Sequence, residues 1–299
     1  MFGRLTYGPD RSRGGTSPCT PPKPVPPAAP APAAADAPAP VPGHGLLAGR
    51  SAVVTAAAGT GIGGATARRF LEEGARVVLG DAHARRLKET EEALAAEFGA
   101  DRVTSLTCDV TDEAQVRALF AHAEAAHGRL DAVVNNAGLG GTATLADMTD
   151  DQWHRVLDTT LGGTFRCTRA ALRSFRTAAA DPARRGGAIV NNASVLGWRA
   201  QPGQAHYAAA KAGVMALTRC AALEAAAFGV RVNAVAPSLA AHPHLAKTTT
   251  PELLDALAAR EAFGRAAHPW EVANVIVFLA SGYSSYMTGE TVSVSSQHP

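Results

Sequence analysis

Residues 53–70 read VVTAAAGTGIGGATARRF. A run of β-branched residues ends at Thr55, glycines recur over the next nine positions, and an amphipathic segment then takes over. A strand that turns into a helix through bare glycines leaves main-chain N–H groups and the positive end of a helix facing outward, with no side chain in front of them. Gly59, Gly61 and Gly64 satisfy G-x-G-x-x-G, with Thr60 and Ile62 in the gaps. The pattern alone is weak, since glycines also serve close strand–helix packing. Its place at the first strand–helix junction gives it meaning, because the backbone there can approach a pyrophosphate.

The alternation continues along the chain. SAVVT, ARVVLG, RVTSLT, LDAVVNN, GGAIVNNA, VRVNAVA and ETVSVS are short valine-rich runs. Between them lie the amphipathic stretches 65–74, 84–99, 112–128, 149–176 and 206–228. Strands apolar on both faces, separated by helices, predict a doubly wound, Rossmann-like parallel α/β sheet of about seven strands, running as one domain from Leu47 to the C-terminus. A segment near 239–264 interrupts the pattern after the sixth strand and is the candidate for holding substrate.

The second strand ends in Gly80-Asp81, about twenty residues past the glycines, where an acid can accept from both hydroxyls of an adenosine ribose. The dinucleotide expected is therefore NAD, since a carboxylate repels a 2′-phosphate; Arg85 and Arg86 nearby keep NADP open. Asp81 could equally serve as the N-cap of the following helix.

Composition narrows the function. The chain has 299 residues, a formal net charge of +2 and 46% hydrophobic residues, enough for a sizeable core. No basic block or alternation of basic and aromatic residues marks a nucleic-acid partner. No membrane span or secretory apolar stretch is legible, and the four cysteines, Cys19, Cys108, Cys167 and Cys220, form no CxxC pair, which predicts a cytoplasmic protein without a disulfide framework or zinc site. The pair His242 and His244 lacks a third ligand at useful spacing, so no metal is expected. Residues 20–42 form a proline/alanine tract that cannot bury a core, and residues 1–46 are expected to be a disordered extension.

Tyr207 and Lys211 stand four apart on one helical stretch and share a face. An ammonium there favours the phenolate and lowers a phenol pKa otherwise near ~10, making Tyr207 an acid/base at neutral pH. Lys211 would also hold the nicotinamide ribose. Ser194, just past the fifth strand, can donate to a carbonyl oxygen while Tyr207 exchanges a proton with it.

TAAAGTGIG at 55–63, CDV at 108–110, NNAG at 135–138, Ser194, and Tyr207 with Lys211 resemble, in order and spacing, the short-chain dehydrogenase/reductase family over nearly all of residues 47–297. The resemblance implies that Asp109 and Val110 contact adenine and that Asn136, Ala137 and Gly138 line the cofactor. It implies a homo-oligomer as well, a tetramer or dimer, in keeping with the small-residue face of 206–228.

There are departures. The first turn is one residue longer than the family's, with Ala56 for its first glycine. Ser238 follows Pro237 where glycine is usual, and His242 stands where a threonine often contacts the carboxamide. Thr160 replaces an asparagine whose main-chain carbonyl holds a relay water; its hydroxyl is expected to bond back one turn and free that carbonyl. These features, with NNASVLGWRAQ at 191–201, resemble a bacterial branch that oxidises ring hydroxyls of CoA-linked steroid- and lipid-derived intermediates. A small-molecule alcohol/ketone oxidoreductase is the reading. A 3-oxoacyl-thioester reductase fits the same motifs, and a non-catalytic dinucleotide sensor would be favoured by loss of Ser194, Tyr207 or Lys211, all of which are present.

Overall fold

The structure, a computed structural model, describes residues 38–241 and 251–296. In chain order its strands are β1 (Ser51–Thr55), β2 (Arg76–Asp81), β3 (Val103–Thr107), β4 (Ala132–Asn135), β5 (Gly187–Asn192), β6 (Val230–Pro237) and β7 (Thr291–Val294). They form one sheet in the order β3-β2-β1-β4-β5-β6-β7, with every neighbouring pair parallel. The helices are α1 (Ile62–Glu72), α2 (Ala84–Phe98), α3 (Glu113–His127), α4 (Asp150–Leu157), α5 (Gly163–Ala178), α6 (Ala205–Ala225), α7 (Pro251–Ala258) and α8 (Pro269–Ala280).

Strands β1 and β4 are buried at every position, so both faces of the sheet need a covering layer. Side chains alternate across the pleat. Val54, Val77 and Leu79 therefore join Phe70, Leu87 and Ile276 of α1, α2 and α8 on one face. Val53, Val78 and Ile189 join Leu119, Phe175 and Ala222 of α3, α5 and α6 on the other. Each such buried Val, Leu or Phe side chain contributes about 1.5–3 kcal/mol. The expected seven-stranded doubly wound sheet is what the chain forms. Because β1 lies between β2 and β4, the crossovers leave in opposite directions and a crevice opens at the carboxyl ends of β1 and β4.

Three local differences follow from the physics. Helix α1 starts at Ile62, inside the glycine-rich stretch and three residues before the amphipathic pattern becomes legible. The continuous helix expected over 149–176 is α4 and α5 joined by a π-helical turn, Asp158–Gly162. Within 239–264 the described part holds α7. The expectations for His242 and His244 fall outside the described residues.

Hydrogen bonds also reach back beyond the boundary expected at residue 46. Leu46 N and His44 N donate to Glu73 Oε2 at 3.0 and 2.9 Å, and Arg69 Nη1 donates to the Val41 carbonyl at 3.2 Å. Arg69 and Glu73 are themselves a buried pair at 2.7 Å, and Arg69 Nε holds Asn274 of α8 at 2.9 Å. Burial alone would raise the Glu73 carboxyl, but the two N–H donors and the Arg69 charge outweigh it and hold it below its ordinary value of 4.5. Among the described residues no helix is long and apolar enough to cross a membrane.

Glu73→Gln removes the charge that Arg69 and the two main-chain donors share, while Arg69 keeps Glu72 as an ionic partner. It is expected to cost about 1.5–3 kcal/mol in urea unfolding at pH 7. A depressed folded pKa stabilises above the unfolded value, so the wild type's advantage is present above about pH 4.5 and shrinks as the pH falls further. A variant equal in stability to wild type at pH 7 would contradict this account.

Candidate active site

The site is built at the carboxyl ends of β1, β4 and β5. Thr55, the last residue of β1, is buried, and its hydroxyl accepts from Asn136 N at 3.0 Å and Ala137 N at 3.1 Å. Ala56 follows with φ 50°, the one non-glycine residue in the left-handed region among the described residues. A β-carbon there costs roughly 1–2 kcal/mol. This is the physical consequence of replacing the family's first glycine. The Ala56 carbonyl accepts from Asn136 Nδ2 at 3.1 Å, which helps hold that conformation.

Each later glycine has its own reason. A β-carbon on Gly64 would overlap the Gly59 carbonyl, and one on Gly63 the Ala56 carbonyl. Gly59 has φ 83°. A β-carbon on Gly61 would meet nothing within 4 Å. Gly61 is also the N-cap of α1, and no side chain caps that helix. Thr60 and Ile62 lie between and beyond them in the same turn. The outcome is an open cradle at a helix N-terminus, suited to an anion.

Asp81 closes β2 beside this turn. Its Oδ2 accepts from Ala58 N at 3.1 Å and its Oδ1 from His83 N at 2.8 Å, while Gly59 N donates to Thr90 Oγ1 at 2.9 Å. Asp81 is therefore not the N-cap of α2; His83 is, without a side-chain bond. At the end of β3, Asp109 Oδ1 accepts from Thr111 N and Oγ1 at 2.9 and 2.8 Å, and Val110 packs against Gly163. These bonds shape the corner on which an adenine would rest.

On the other side of the crevice, Ser194 caps a short 3₁₀ turn, Val195–Gly197, its oxygen accepting from Leu196 N at 3.2 Å, and its hydroxyl lies near enough to Tyr207 to favour the phenolate. Tyr207 sits in the first turn of α6, and Lys211 follows one turn later with its Nζ 5.6 Å from the centre of the tyrosine ring. Lys211 is buried, and its ammonium donates to the Asn192 carbonyl at 2.5 Å. The three side chains expected to act together are thus brought together. Gly138 lies against them: a β-carbon there would be 3.4 Å from Lys211 Nζ and 3.6 Å from Thr160 Oγ1.

Two electrostatic and hydrogen-bonding expectations are corrected. Tyr207 is not lowered by its lysine; burial pushes the phenol above its ordinary value, and the Ser194 hydroxyl only partly opposes that. Burial also pushes Lys211 down to about 8. Thr160, buried in the π-turn, does not bond back along its own helix. Its hydroxyl accepts from Leu139 N at 3.0 Å and donates to Leu139 O at 3.1 Å, while its carbonyl accepts from Thr164 Oγ1 at 2.7 Å. The carbonyl is engaged rather than freed.

Sequence reasoning missed several residues here. Thr55 joins the strand ends, and Asn192 Nδ2 donates to Asn136 Oδ1 at 2.8 Å. Asn135 Nδ2 donates to Asn191 Oδ1 at 2.8 Å and to Thr168 at 3.0 Å. The signal was available as two Asn-Asn doublets closing apolar strands, at 135–136 and 191–192. Among the described residues no group of His, Cys, Asp or Glu could hold a metal. The buried thiol of Cys108 is pushed up to about 12, so it supplies no thiolate.

Fold and site together define a short-chain dehydrogenase/reductase. A family model described as enoyl-(acyl carrier protein) reductase matches residues 56–296, and the chain belongs to the short-chain dehydrogenase/reductase family. The chain is 66% identical over 259 residues, 87% of its length and 97% of the relative's, to (5R,7aS)-5-hydroxy-7a-methyl-1-oxo-2,3,5,6,7,7a-hexahydro-1H-indene-carboxyl-CoA reductase of Mycobacterium tuberculosis. It is 43% identical to cis-4-hydroxycyclohexanecarboxylate dehydrogenase of Sinomonas cyclohexanicum, covering 82% of this chain and 94% of that one. A crystal structure of a short chain dehydrogenase from Mycobacterium smegmatis superposes with a TM-score of 0.77 at 57% identity, covering 88% of this chain and 99% of that one. The protein is an oxidoreductase of this family.

The two glycine roles separate by mutation. Gly64→Ala forces a β-carbon onto a carbonyl and is expected to lower the melting temperature by several degrees, whereas Gly61→Ala meets open space and leaves it within about two degrees. Equal melting temperatures for the two variants would contradict the packing described.

Proposed function

We propose that this enzyme reduces a ring ketone on a coenzyme A-linked, steroid- or lipid-derived small molecule, with NADH as the hydride source. The observation that carries the reading is the buried Ser194–Tyr207–Lys211 cluster, its lysine held by the Asn192 carbonyl, together with a helix N-terminus that carries an open glycine cradle. The name of the 66%-identical relative supports the substrate class.

The cradle formed by Gly59, Thr60, Gly61 and Ile62 fits a pyrophosphate, and Asp81, fixed at the end of β2, fits a ribose with a free 2′-hydroxyl. Asp109 and Val110 would flank adenine, and Asn136, Ala137 and Gly138 would line the path toward Lys211. When bound, the nicotinamide supplies or takes up a hydride at its C4. The protein supplies position and the proton. Ser194 holds the carbonyl oxygen, and Tyr207 hands that oxygen its proton. A phenol whose pKa is raised by burial stays protonated at neutral pH, and this favours acting as the acid in reduction over acting as the base in oxidation. Lys211, held by the Asn192 carbonyl, holds the nicotinamide ribose and helps stabilise the negative charge left on the tyrosine oxygen.

Assembly as a homo-oligomer is part of the proposal, supported by exposed Phe165 and Leu223 on α5 and α6. A single monomeric species in sedimentation at micromolar concentration would contradict it. Cytoplasmic residence is proposed on the dispersed cysteines, of which Cys108, Cys167 and Cys220 are free.

Purified protein offered ring ketones on coenzyme A, 3-oxoacyl thioesters and free hydroxysteroids is expected to turn over the first best, with kcat/KM higher for NADH than for NADPH. A preference for NADPH would show that Arg85 and Arg86 outweigh Asp81. Tyr207→Phe should lower kcat by about a thousandfold. Thr160→Ala, which leaves the Leu139 N–H without its acceptor, should cost about tenfold or less together with some stability. Because the charged form of Lys211 is lost as the pH rises through about 8, kcat/KM for reduction should fall above that pH. Equal damage from the two substitutions, or a rate that climbs above pH 8, would contradict these roles.

A further inference from the structure

The chain of side-chain amides across the crevice has a fixed direction. The Ala56 carbonyl can only accept, so Asn136 turns its NH₂ toward it, at 3.1 Å. Asn136 Oδ1 then faces Asn192, which must present its own NH₂, at 2.8 Å. This leaves the side-chain oxygen of Asn192 as the acceptor at the end of the chain. It is buried and has no hydrogen-bond partner. The main-chain carbonyl of the same residue takes the Lys211 ammonium at 2.5 Å. A buried amide oxygen without a donor is costly, and where such an atom persists it calls for an explanation.

We infer that Asn192 is a cofactor-binding residue whose side-chain oxygen accepts a hydrogen bond from the nicotinamide–ribose half of the dinucleotide. The inference rests on the dinucleotide reading given above and adds to it a residue and an atom. Asn192 ends β5, between the glycine turn, which it reaches through Asn136, and the helix bearing Tyr207 and Lys211. A dinucleotide with its pyrophosphate at Gly61 and its reactive ring at Tyr207 has to bring its nicotinamide half past this residue. That half carries hydrogen-bond donors of two kinds, ribose hydroxyls and the carboxamide NH₂, and either would satisfy the oxygen. Its burial shields it from bulk water, so the donor has to arrive on a group that packs against the strand ends.

The test is a binding series read by calorimetry, without turnover. ADP, ADP-ribose, 3-acetylpyridine adenine dinucleotide and NAD⁺ add in turn the ribose, a ring with a methyl ketone, and the carboxamide donor. They are titrated into wild type, Asn192→Leu and Asn192→Ser, the serine variant carrying the comparison if leucine prevents folding. ADP affinity is expected to stay within about twofold, while NAD⁺ affinity falls by about tenfold, the size of one neutral hydrogen bond to a buried acceptor. A loss that begins at ADP-ribose identifies a ribose hydroxyl as the donor, and one confined to NAD⁺ identifies the carboxamide. An equal loss for ADP, or no loss with any ligand, overturns the inference and leaves Asn192 as a support for the turn alone. Wild-type protein that binds none of the four overturns the dinucleotide reading and this inference with it.

Discussion

The hydroxyl of Thr55 occupies the point where the order of the sheet reverses. It accepts from two successive main-chain N–H groups, those of Asn136 and Ala137, and donates to the Val134 carbonyl at 3.4 Å. The ends of β1 and β4 are thereby joined just where their crossovers part and the ladder between them runs out. A buried N–H without a partner costs roughly 1–3 kcal/mol, so this one hydroxyl relieves a cost that the topology itself creates. The rest of the site is arranged around this join. The glycine turn continues from Thr55, the Asn136 amide reaches from β4 to the turn and on to Asn192, and Ser194 stands two residues past the end of β5.

The chemistry depends on burial more than on charge pairing. Lys211 lies inside the protein with its ammonium on a main-chain carbonyl and, among the described residues, no carboxylate paired with it, and burial alone accounts for its fall to about 8. Tyr207 is raised by the same cause. Two groups of opposite charge type are both pushed toward their neutral forms by one apolar environment. At neutral pH the tyrosine keeps its proton and the lysine is close to losing one. In the proposed reduction the tyrosine would be the member of the pair that delivers the proton.

The strands and their order were legible because both-face apolar runs admit few alternatives: VVT, VVLG and AVVN can be satisfied only between two helical layers. That Tyr207 and Lys211 share a face was legible from spacing, since four residues on a helix place two side chains on one face, and Ser194 was legible from its place after β5 and from the family resemblance. The start of α1 was not, because Ile62 to Gly64 carry too little amphipathic pattern to outweigh the glycines. The π-turn around Thr160 was hidden for a different reason: nothing in DTTLG announces a change of helical pitch, or that the Thr160 hydroxyl meets the Leu139 main chain. The sign of the Tyr207 shift was misjudged because the i, i+4 spacing shows who is near, whereas burial, the larger effect, is a property of the assembled fold. The bonds that engage Val41, His44 and Leu46 likewise depend on Arg69 and Glu73 being carried to them by α1 and its C-cap.

Deuterium transfer tests the central claim most directly. Wild-type enzyme is given NADH deuterated at the transferable C4 position together with a coenzyme A-linked ring ketone, and the product is examined by mass spectrometry. The account predicts one deuterium, carbon-bound at the new carbinol centre of the ring, and none exchanging into solvent. A product without label, or label found elsewhere in the molecule, would contradict direct hydride transfer at this site.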